Sequence, residues 1–343
     1  MRVNWFLPFS NLSTIFCSTF SQFLSPNPYI IQRSPRILGV LRCLQLIPFL
    51  ERKGIRCTIN CVNKSSDIAI FVRCQNKDTL NILERQRSLG AKTIFDINVN
   101  YFDDSGLFPG GYGTTPEQVA DAKNMAITAD AITCASDFIK DRASQFNSNS
   151  FYIPDSVNLH HFRYNKTEED FRSPGLSAIW SGQPTKADEL VGLTKLLSQH
   201  DVPLTIISEN QPPRLKHSNF SPWSYFSFPR TILHGNISVS PRRTDNSYDL
   251  GHSHFKIGVF MAQGVPVLAS PLPSYTELLT DTGGGRICRS DTDWKTSIEE
   301  IMDDRDLLWK WSQAAYSGMR KFSTEKISDV YVKLFKKLVS NKI

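Results

Sequence analysis

Short apolar runs alternate with amphipathic segments along most of the chain. In the first half, the apolar runs predict strands near residues 2–8, 55–62, 67–73, 91–98, 131–135 and 150–153. The segments between them carry apolar residues at helical spacing. This alternation is typical of a parallel sheet covered by helices.

The pattern restarts after a polar stretch at 163–175, punctuated by proline and glycine, which predicts a linker. Further strands are predicted near 176–182, 203–209, 223–228, 237–241, 265–270 and 285–290, with helices from about 291 to 339. A chain of 343 residues is long enough for two domains of ordinary size. We therefore predict an α/β protein with doubly wound domains at 1–165 and 170–322, followed by a C-terminal helical segment at 323–343.

The charge and the cysteines narrow the class of protein. The net charge of +6 suits anionic small ligands or an anionic membrane surface. Nucleic-acid binding is disfavoured, because no dense basic run with interleaved aromatic residues occurs. The seven cysteines lack any C-x-x-C spacing, which favours buried thiols in a reducing compartment over disulfides or a metal site.

The N-terminal stretch leaves the question of membrane contact open. Apolar residues between 12 and 24 recur at helical spacing, so this segment either packs on the core or touches a membrane or a lipid acceptor. No uninterrupted apolar segment of about 18 residues occurs anywhere, so no membrane-spanning helix is predicted.

The stretch HFKIGVFMAQGVPVLASPLPSYTELL, residues 254–279, predicts an anion site. Its helix, Gly264 and following strand place the helix N-terminus at the edge of the sheet where ligands bind. Ser253 is a candidate N-cap, and Lys256 lies in the first helical turn. A lysine is electrostatically unfavourable there unless an anion binds. The alternative is an ordinary solvated lysine.

The same stretch resembles glycosyltransferases of the GT-B architecture, in particular the retaining enzymes of family 4 (glycosyltransferase group 1). The matching positions are Lys256, Met261, Ala262, Gly264, Pro266, Val267, Ala269 and Ser270, with Glu277 at a following acidic position. The resemblance extends to 129–162, to IWSGQPTKADEL at the start of the second domain, and to the closing segment FSTEKISDVYVKLFKKL. It covers most of the chain and implies two Rossmann-like domains facing each other across a cleft, with the last helix crossing back to the first domain.

The resemblance implies that the second domain binds a nucleotide-diphosphate sugar, which basic side chains hold without a metal or cofactor. The candidate donor-binding residues are Lys256, Lys186, Gly182, Ser253, Arg242, Asp249 and Glu277. The first domain would bind a saccharide or lipid-linked acceptor, through polar residues at predicted strand ends. These are Asp96, Asn98, Asn100, Asp103 and Arg73. A retaining enzyme needs no catalytic carboxylate dyad, and the resemblance implies a cytoplasmic protein, either free or at the inner face of the membrane.

The sequence departs from the family at a pair of glutamates, whose positions hold Gly251 and Val259. Valine cannot accept a hydrogen bond from a ribose hydroxyl, so recognition of the nucleotide must differ. Asp249 is close enough in sequence to substitute. The alternative is a non-catalytic relative that serves as a glycan-binding or partner subunit.

The sequence does not support two alternatives that depend on glycine-rich turns, a dinucleotide-binding turn and a phosphate-binding loop. A dinucleotide-dependent oxidoreductase needs a glycine-rich turn after the first strand, and FLPFSNLS has no glycine. The segment DDSGLFPGGYGTTP, residues 103–116, matches no phosphate-binding pattern. We predict that it forms a flexible connection or an active-site lid.

Overall fold

The computed structural model of the protein describes residues 1–7, 40–108, 112–173, 175–215 and 218–340. Its two large sheets each contain six strands, and all strand pairs within them are parallel. The amphipathic segment at 12–24 lies outside the described residues.

The strands of the first sheet are β1 (Arg2–Phe6), β2 (Arg56–Ile59), β3 (Ile68–Val72), β4 (Lys92–Ile97), β7 (Ala131–Cys134) and β8 (Ser150–Tyr152). They are arranged in the order β2-β1-β3-β4-β7-β8. The helices of this domain are α1 (Ile47–Arg52), α2 (Lys77–Ser88), α3 (Pro116–Thr128) and α4 (Asp137–Ala143). A small antiparallel hairpin, β5 (Gly106–Phe108) and β6 (Tyr112–Thr114), occupies the predicted lid segment.

The strands of the second sheet are β9 (Ala178–Ser181), β10 (Leu204–Ser208), β11 (Asn219–Pro222), β12 (Ile237–Ser240), β13 (Val267–Ala269) and β14 (Gly285–Ile287). They are arranged in the order β11-β10-β9-β12-β13-β14. The helices from the linker onward are α5 (Glu169–Arg172), α6 (Val191–Gln199), α7 (Phe228–Thr231), α8 (Ser247–Leu250), α9 (Phe255–Met261), α10 (Pro273–Thr282), α11 (Asp291–Asp303), α12 (Arg305–Gly318) and α13 (Thr324–Ser340).

One local prediction was wrong. The strand predicted at 223–228 is absent: the edge strand β11 ends at Pro222, and α7 begins at Phe228 with a proline in its first turn. Ahead of β2, the chain forms a π-helix at Val40–Leu44 and then α1, in whose first turn Pro48 lies. Proline fits a first helical turn because its missing N–H would have no partner there.

Helix α13 crosses back to the first domain, as predicted. Its apolar face consists of Ile327, Tyr331, Leu334, Phe335 and Leu338, and it packs in one cluster with residues of β1 and β3. Just before the helix, the chain pairs with the interdomain passage: the Val157 N–H donates to the Phe322 carbonyl (2.9 Å), and the Thr324 N–H donates to the Val157 carbonyl (3.1 Å). The predicted α/β fold class is confirmed.

Deleting residues 324–343 should destabilise the first domain, although the deleted helix follows the second domain in sequence. The deletion uncovers the buried faces of β1 and β3, at a cost of about 2 kcal/mol for each large apolar side chain that becomes exposed to water. Hydrogen exchange should then show faster exchange of amides in β1, β3 and β4, with smaller changes in β9 and β10. Equal loss of protection in both sheets would contradict this prediction.

Across the described ranges, no helix is long and apolar enough to cross a membrane.

Candidate functional site

The second sheet reverses its strand order between β9 and β12. In a doubly wound sheet, the loops that follow the two strands at such a point diverge and leave a crevice in which ligands bind. Gly182 and Lys186 follow β9, and Arg242 follows β12. The fold therefore places two of the predicted basic residues at the topological binding point.

A cluster of three cations lies at this crevice: Lys186, Arg242 and Lys256, called the cation cluster below. Lys186 Nζ is 3.3 Å from Asp249 Oδ1, and Arg242 donates to the same oxygen. Among the described residues, the only carboxylates within 4 Å of the cluster are Asp249 and Glu189. The cations therefore exceed the carboxylates by one, and the cluster favours an added anion.

Lys256 lies in the first turn of α9, but it is not freely solvated as the alternative interpretation held. Its Nζ lies 4.5 Å from the centroid of the Trp180 ring. No carboxylate of the described residues comes within 4 Å of it. Burial, together with the neighbouring charge of Arg242, holds the pKa of Lys256 well below its ordinary range. An arriving anion would relieve both effects.

Asp249 does not take the ribose-binding place that the sequence suggested. Its side chain is fully buried, and it accepts hydrogen bonds from Lys186, Arg242 and Asn246. Burial alone would raise the pKa of Asp249, but Arg242 and Lys186 hold this pKa below its ordinary value. Asp249 is therefore a counter-ion of the cation cluster.

Ser253 and Glu277 also form contacts that the sequence did not predict. The N-cap residue of α9 is His254, but the Ser253 hydroxyl accepts from the Phe255 N–H (3.4 Å) at the start of this helix and donates to Asp155 of the interdomain passage. Glu277 is exposed on α10. Helix α10 packs on α4, and partial burial together with the nearby charges of Asp137 and Asp141 raises the pKa of Glu277. Within the described residues, neither side chain has a hydrogen bond or ion pair with the cation cluster.

Gly182, also predicted, directly follows β9 and packs against Trp180. A Cβ atom at this position would lie 2.5 Å from the Trp180 ring. The glycine therefore allows the chain to turn toward Lys186 while Trp180 supports Lys256.

Binding of a diphosphate should weaken above pH 8 because Lys186 titrates there. Burial and the neighbouring Arg242 lower the pKa of Lys186 to about 8. Affinity for pyrophosphate should fall by up to tenfold per pH unit above this value, and Lys186→Arg should flatten the profile. The unfolded chain keeps this proton to higher pH, so the contribution of Lys186 to folding stability rises between pH 8 and its ordinary pKa. Calorimetric titrations of pyrophosphate at pH 7, 8 and 9 measure the affinity. An equal fall in pyrophosphate affinity in Lys186→Arg would contradict the prediction.

The acceptor-side prediction for Asp96 was wrong. Asp96 is fully buried in the first domain and accepts two hydrogen bonds from Arg42 (2.9 and 2.7 Å). Thr133 and the Tyr331 hydroxyl of α13 donate to it as well (2.7 and 2.6 Å). A fully buried carboxylate with four donors inside the domain is not accessible to a ligand.

Arg42 extends this network toward the second domain. It also donates to the Ile153 carbonyl (2.8 Å) and lies 3.3 Å from Asp155. Asp155 in turn accepts from Ser253, which closely precedes the helix that carries Lys256. The residues that join the first sheet, α13 and the helix of the cation cluster are called the interdomain network below; they are Arg42, Asp96, Asp155, Ser253 and Tyr331. The sequence does not reveal this network, because its members are far apart along the chain.

Asn100, another predicted acceptor-side residue, lies at the domain contact, and Asp103 pairs with it. The Asn100 side chain is buried and donates to Asp103 (2.8 Å) and, across the cleft, to the Ser247 carbonyl (3.3 Å). Asp103 also accepts from Arg142. Asn100 therefore joins the two domains, whereas Asp103 pairs within the first domain and is 38% exposed.

Asn98 and Arg73 remain compatible with the predicted role. Asn98 follows β4, and its buried Oδ1 atom has no hydrogen-bond partner within the described part of the chain. Arg73 follows β3 in a left-handed conformation (φ 50°) and donates to the Tyr101 hydroxyl.

The β5–β6 hairpin contributes an aromatic cover that sequence analysis did not assign to the site. The Tyr112 ring lies 4.4 Å from Lys186 Nζ, and its centroid is 5.9 Å from that of Tyr248 on α8. Phe108 of the same hairpin packs on Tyr112 and lies 5.8 Å from the Arg243 guanidinium carbon. The predicted lid segment thus reaches from the first domain to the cation cluster.

No group of three or more His, Cys, Asp or Glu side chains in the described part of the chain has the spacing of a metal site.

The fold is that of the GT-B architecture, in which two Rossmann-like domains face each other. No protein-family model and no curated protein sequence matches the chain.

Solved structures with the same fold match almost the whole chain. HepE of Anabaena, in complex with UDP and glucose, superposes with a TM-score of 0.66 over 98% of this chain and 99% of its own, at 10% identity. Sucrose-phosphate synthase from Thermosynechococcus elongatus gives 0.64 over 99% of both chains, at 11% identity. TarM of S. aureus, in a complex with UDP, gives 0.59 at 14% identity; the match covers 84% of this chain but only 58% of TarM.

Proposed function

We propose that the protein is a glycosyltransferase that moves a sugar from a nucleotide-diphosphate donor to a saccharide or lipid-linked acceptor. The observation that carries the proposal is the cation cluster of Lys186, Arg242 and Lys256 at the strand-order reversal of the second sheet. The cations exceed their carboxylate partners, as a diphosphate site requires. HepE and TarM, which share the fold, are described in complexes with UDP.

The proposed reaction proceeds without a metal ion and with retention of anomeric configuration. Three positively charged side chains can offset the charge that develops on the departing diphosphate. In a front-face mechanism the departing phosphate oxygen assists deprotonation of the acceptor hydroxyl, and the protein positions the reactants. Activity should therefore survive EDTA. A lipid-linked acceptor would bring the enzyme to the inner face of a membrane.

A non-catalytic GT-B relative is the second candidate, and Gly251 and Val259 favour it because neither can bind a hydroxyl as the family's glutamates do. A thermal-shift panel of UDP, GDP, ADP, CMP and their sugar conjugates tests nucleotide binding, since a ligand of the folded state raises Tm. Slow release of nucleotide from the conjugate that binds would support transferase chemistry. Binding with no turnover of donor, with or without glycan acceptors, would favour the non-catalytic candidate, and no shift at all would overturn the donor site.

A further inference from the structure

Glu189 has a buried carboxylate that accepts no hydrogen bond from the cation cluster. It lies on the 3₁₀-helix Pro184–Leu190, and its side chain is only 8% exposed. Neither carboxylate oxygen has a hydrogen-bond partner among the described residues, and the contact with Arg242 Nη1 is an ion pair at 3.8 Å. Buried polar groups in folded proteins almost always have partners, so two orphaned oxygens indicate a missing donor.

The carboxylate is directed into the cation cluster. Residues three apart on a 3₁₀-helix lie on the same side, so Glu189 shares its face with Lys186. Its negative charge also favours the protonated forms of Lys186 and Lys256. Glu189 therefore lies within 4 Å of Arg242, and its charge acts on both lysines of the cluster.

The positions where the family resemblance places glutamates cannot present a carboxylate in this chain. A Cβ atom at Gly251 would lie 2.6 Å from the Asn100 Cβ atom of the first domain. Val259 is 2% exposed and belongs to the apolar core of the second domain. Glycine and valine at these positions therefore follow from packing, and any carboxylate that binds sugar hydroxyls must come from elsewhere.

We propose that Glu189 supplies this carboxylate and accepts hydrogen bonds from hydroxyl groups of the nucleotide sugar, on the ribose or on the transferred sugar. The inference rests on the proposed donor site. A diphosphate bound by Arg242 and Lys256 would draw Arg242 away from Glu189 and bring both sugar rings to the cluster. The hydroxyl protons then satisfy the two orphaned oxygens, and donors lacking a correctly placed hydroxyl are rejected.

The test compares inorganic pyrophosphate, UDP and UDP-glucose as ligands of the wild-type protein, Glu189→Gln and Glu189→Ala, by calorimetry. GDP and GDP-mannose replace the uridine pair if the panel selects guanine. Glu189→Gln removes a negative charge next to the diphosphate, so pyrophosphate should bind equally well or several-fold more tightly. Relative to the change for pyrophosphate, the same substitution should lower the affinity for UDP-glucose at least tenfold. The matched control is Asp188→Asn, whose side chain is 62% exposed on the same 3₁₀-helix; it should leave all three affinities unchanged.

Comparison of the three ligands distinguishes the possible roles of Glu189. Equal weakening of UDP and UDP-glucose assigns the contact to the ribose, and weakening of UDP-glucose alone assigns it to the transferred sugar; both support the proposal. If all three ligands bind more tightly by the same factor, Glu189 only balances charge, and the proposal is overturned while the donor site stands. If the wild-type protein binds none of the ligands, the proposed function itself fails. Melting curves of both variants show that loss of binding is not loss of folding.

Discussion

Lys256→Ala is expected to lower the affinity for UDP or another recognised nucleoside diphosphate by on the order of 100-fold. The lysine has no carboxylate partner within 4 Å in the described structure; the Trp180 ring lies against it, and the charges of Glu189 and Asp249 offset its burial only in part. Its charge is therefore available to an anion. Removing it also relieves repulsion from Arg242 and Lys186, so the melting temperature without nucleotide should stay the same or rise. Titration calorimetry gives the affinity, and a melting curve gives the stability.

The control for this experiment is Lys195→Ala, which removes an equal charge from an exposed position on α6. It should change neither quantity. Unchanged nucleotide affinity in Lys256→Ala would remove this residue from the site, and a large fall in melting temperature would mean that its interaction with Trp180 is mainly structural.

Arg42→Met should be among the most destabilising substitutions in the protein. It leaves Asp96 and Asp155 buried without their cation, and breaking a buried ion pair in this way costs about 3–5 kcal/mol. For a domain of this size the melting temperature should fall by about 10 °C. The loss should be smaller in acid, because burial already raises the pKa of Asp155 and a neutral carboxyl needs no cation.

Two further variants show why Arg42→Met lowers the stability. Arg56→Ala, at an exposed position on β2, should leave the melting temperature unchanged. Adding Asp96→Asn and Asp155→Asn to Arg42→Met should recover part of the lost stability, because it removes the uncompensated charges. A triple variant no more stable than Arg42→Met would show that Arg42 stabilises the fold by packing rather than by charge.

Most strands and the approximate place of the binding site could be predicted from the sequence because both depend on local signals. Strands β9 and β12 are apolar runs, and the basic residues that follow each of them are close to those runs in the sequence. Lys256 could be identified because a lysine in a first helical turn contradicts the local electrostatics.

The roles of the carboxylates could not be predicted, since they depend on partners distant in sequence. Asp96 has the sequence position of a strand-end ligand, but it lies in a strand buried on both faces and pairs with Arg42, which is 54 residues away. Asp249 has the sequence position of a ribose ligand and is a counter-ion. Glu189 carries no signal in the sequence because a glutamate in a polar turn is ordinarily solvated, and only its burial distinguishes it.

The pairing of Val157 with the residues on either side of Ser323 means that the chain passes between the domains twice, side by side. Two parallel connections allow one domain to swing toward the other, but they resist rotation about the axis that joins them. They also make the covalent linker dispensable for association: a protease that cuts within 163–175 would leave two fragments, one of which still inserts α13 into the core of the other. The halves of the nicked protein should therefore co-purify.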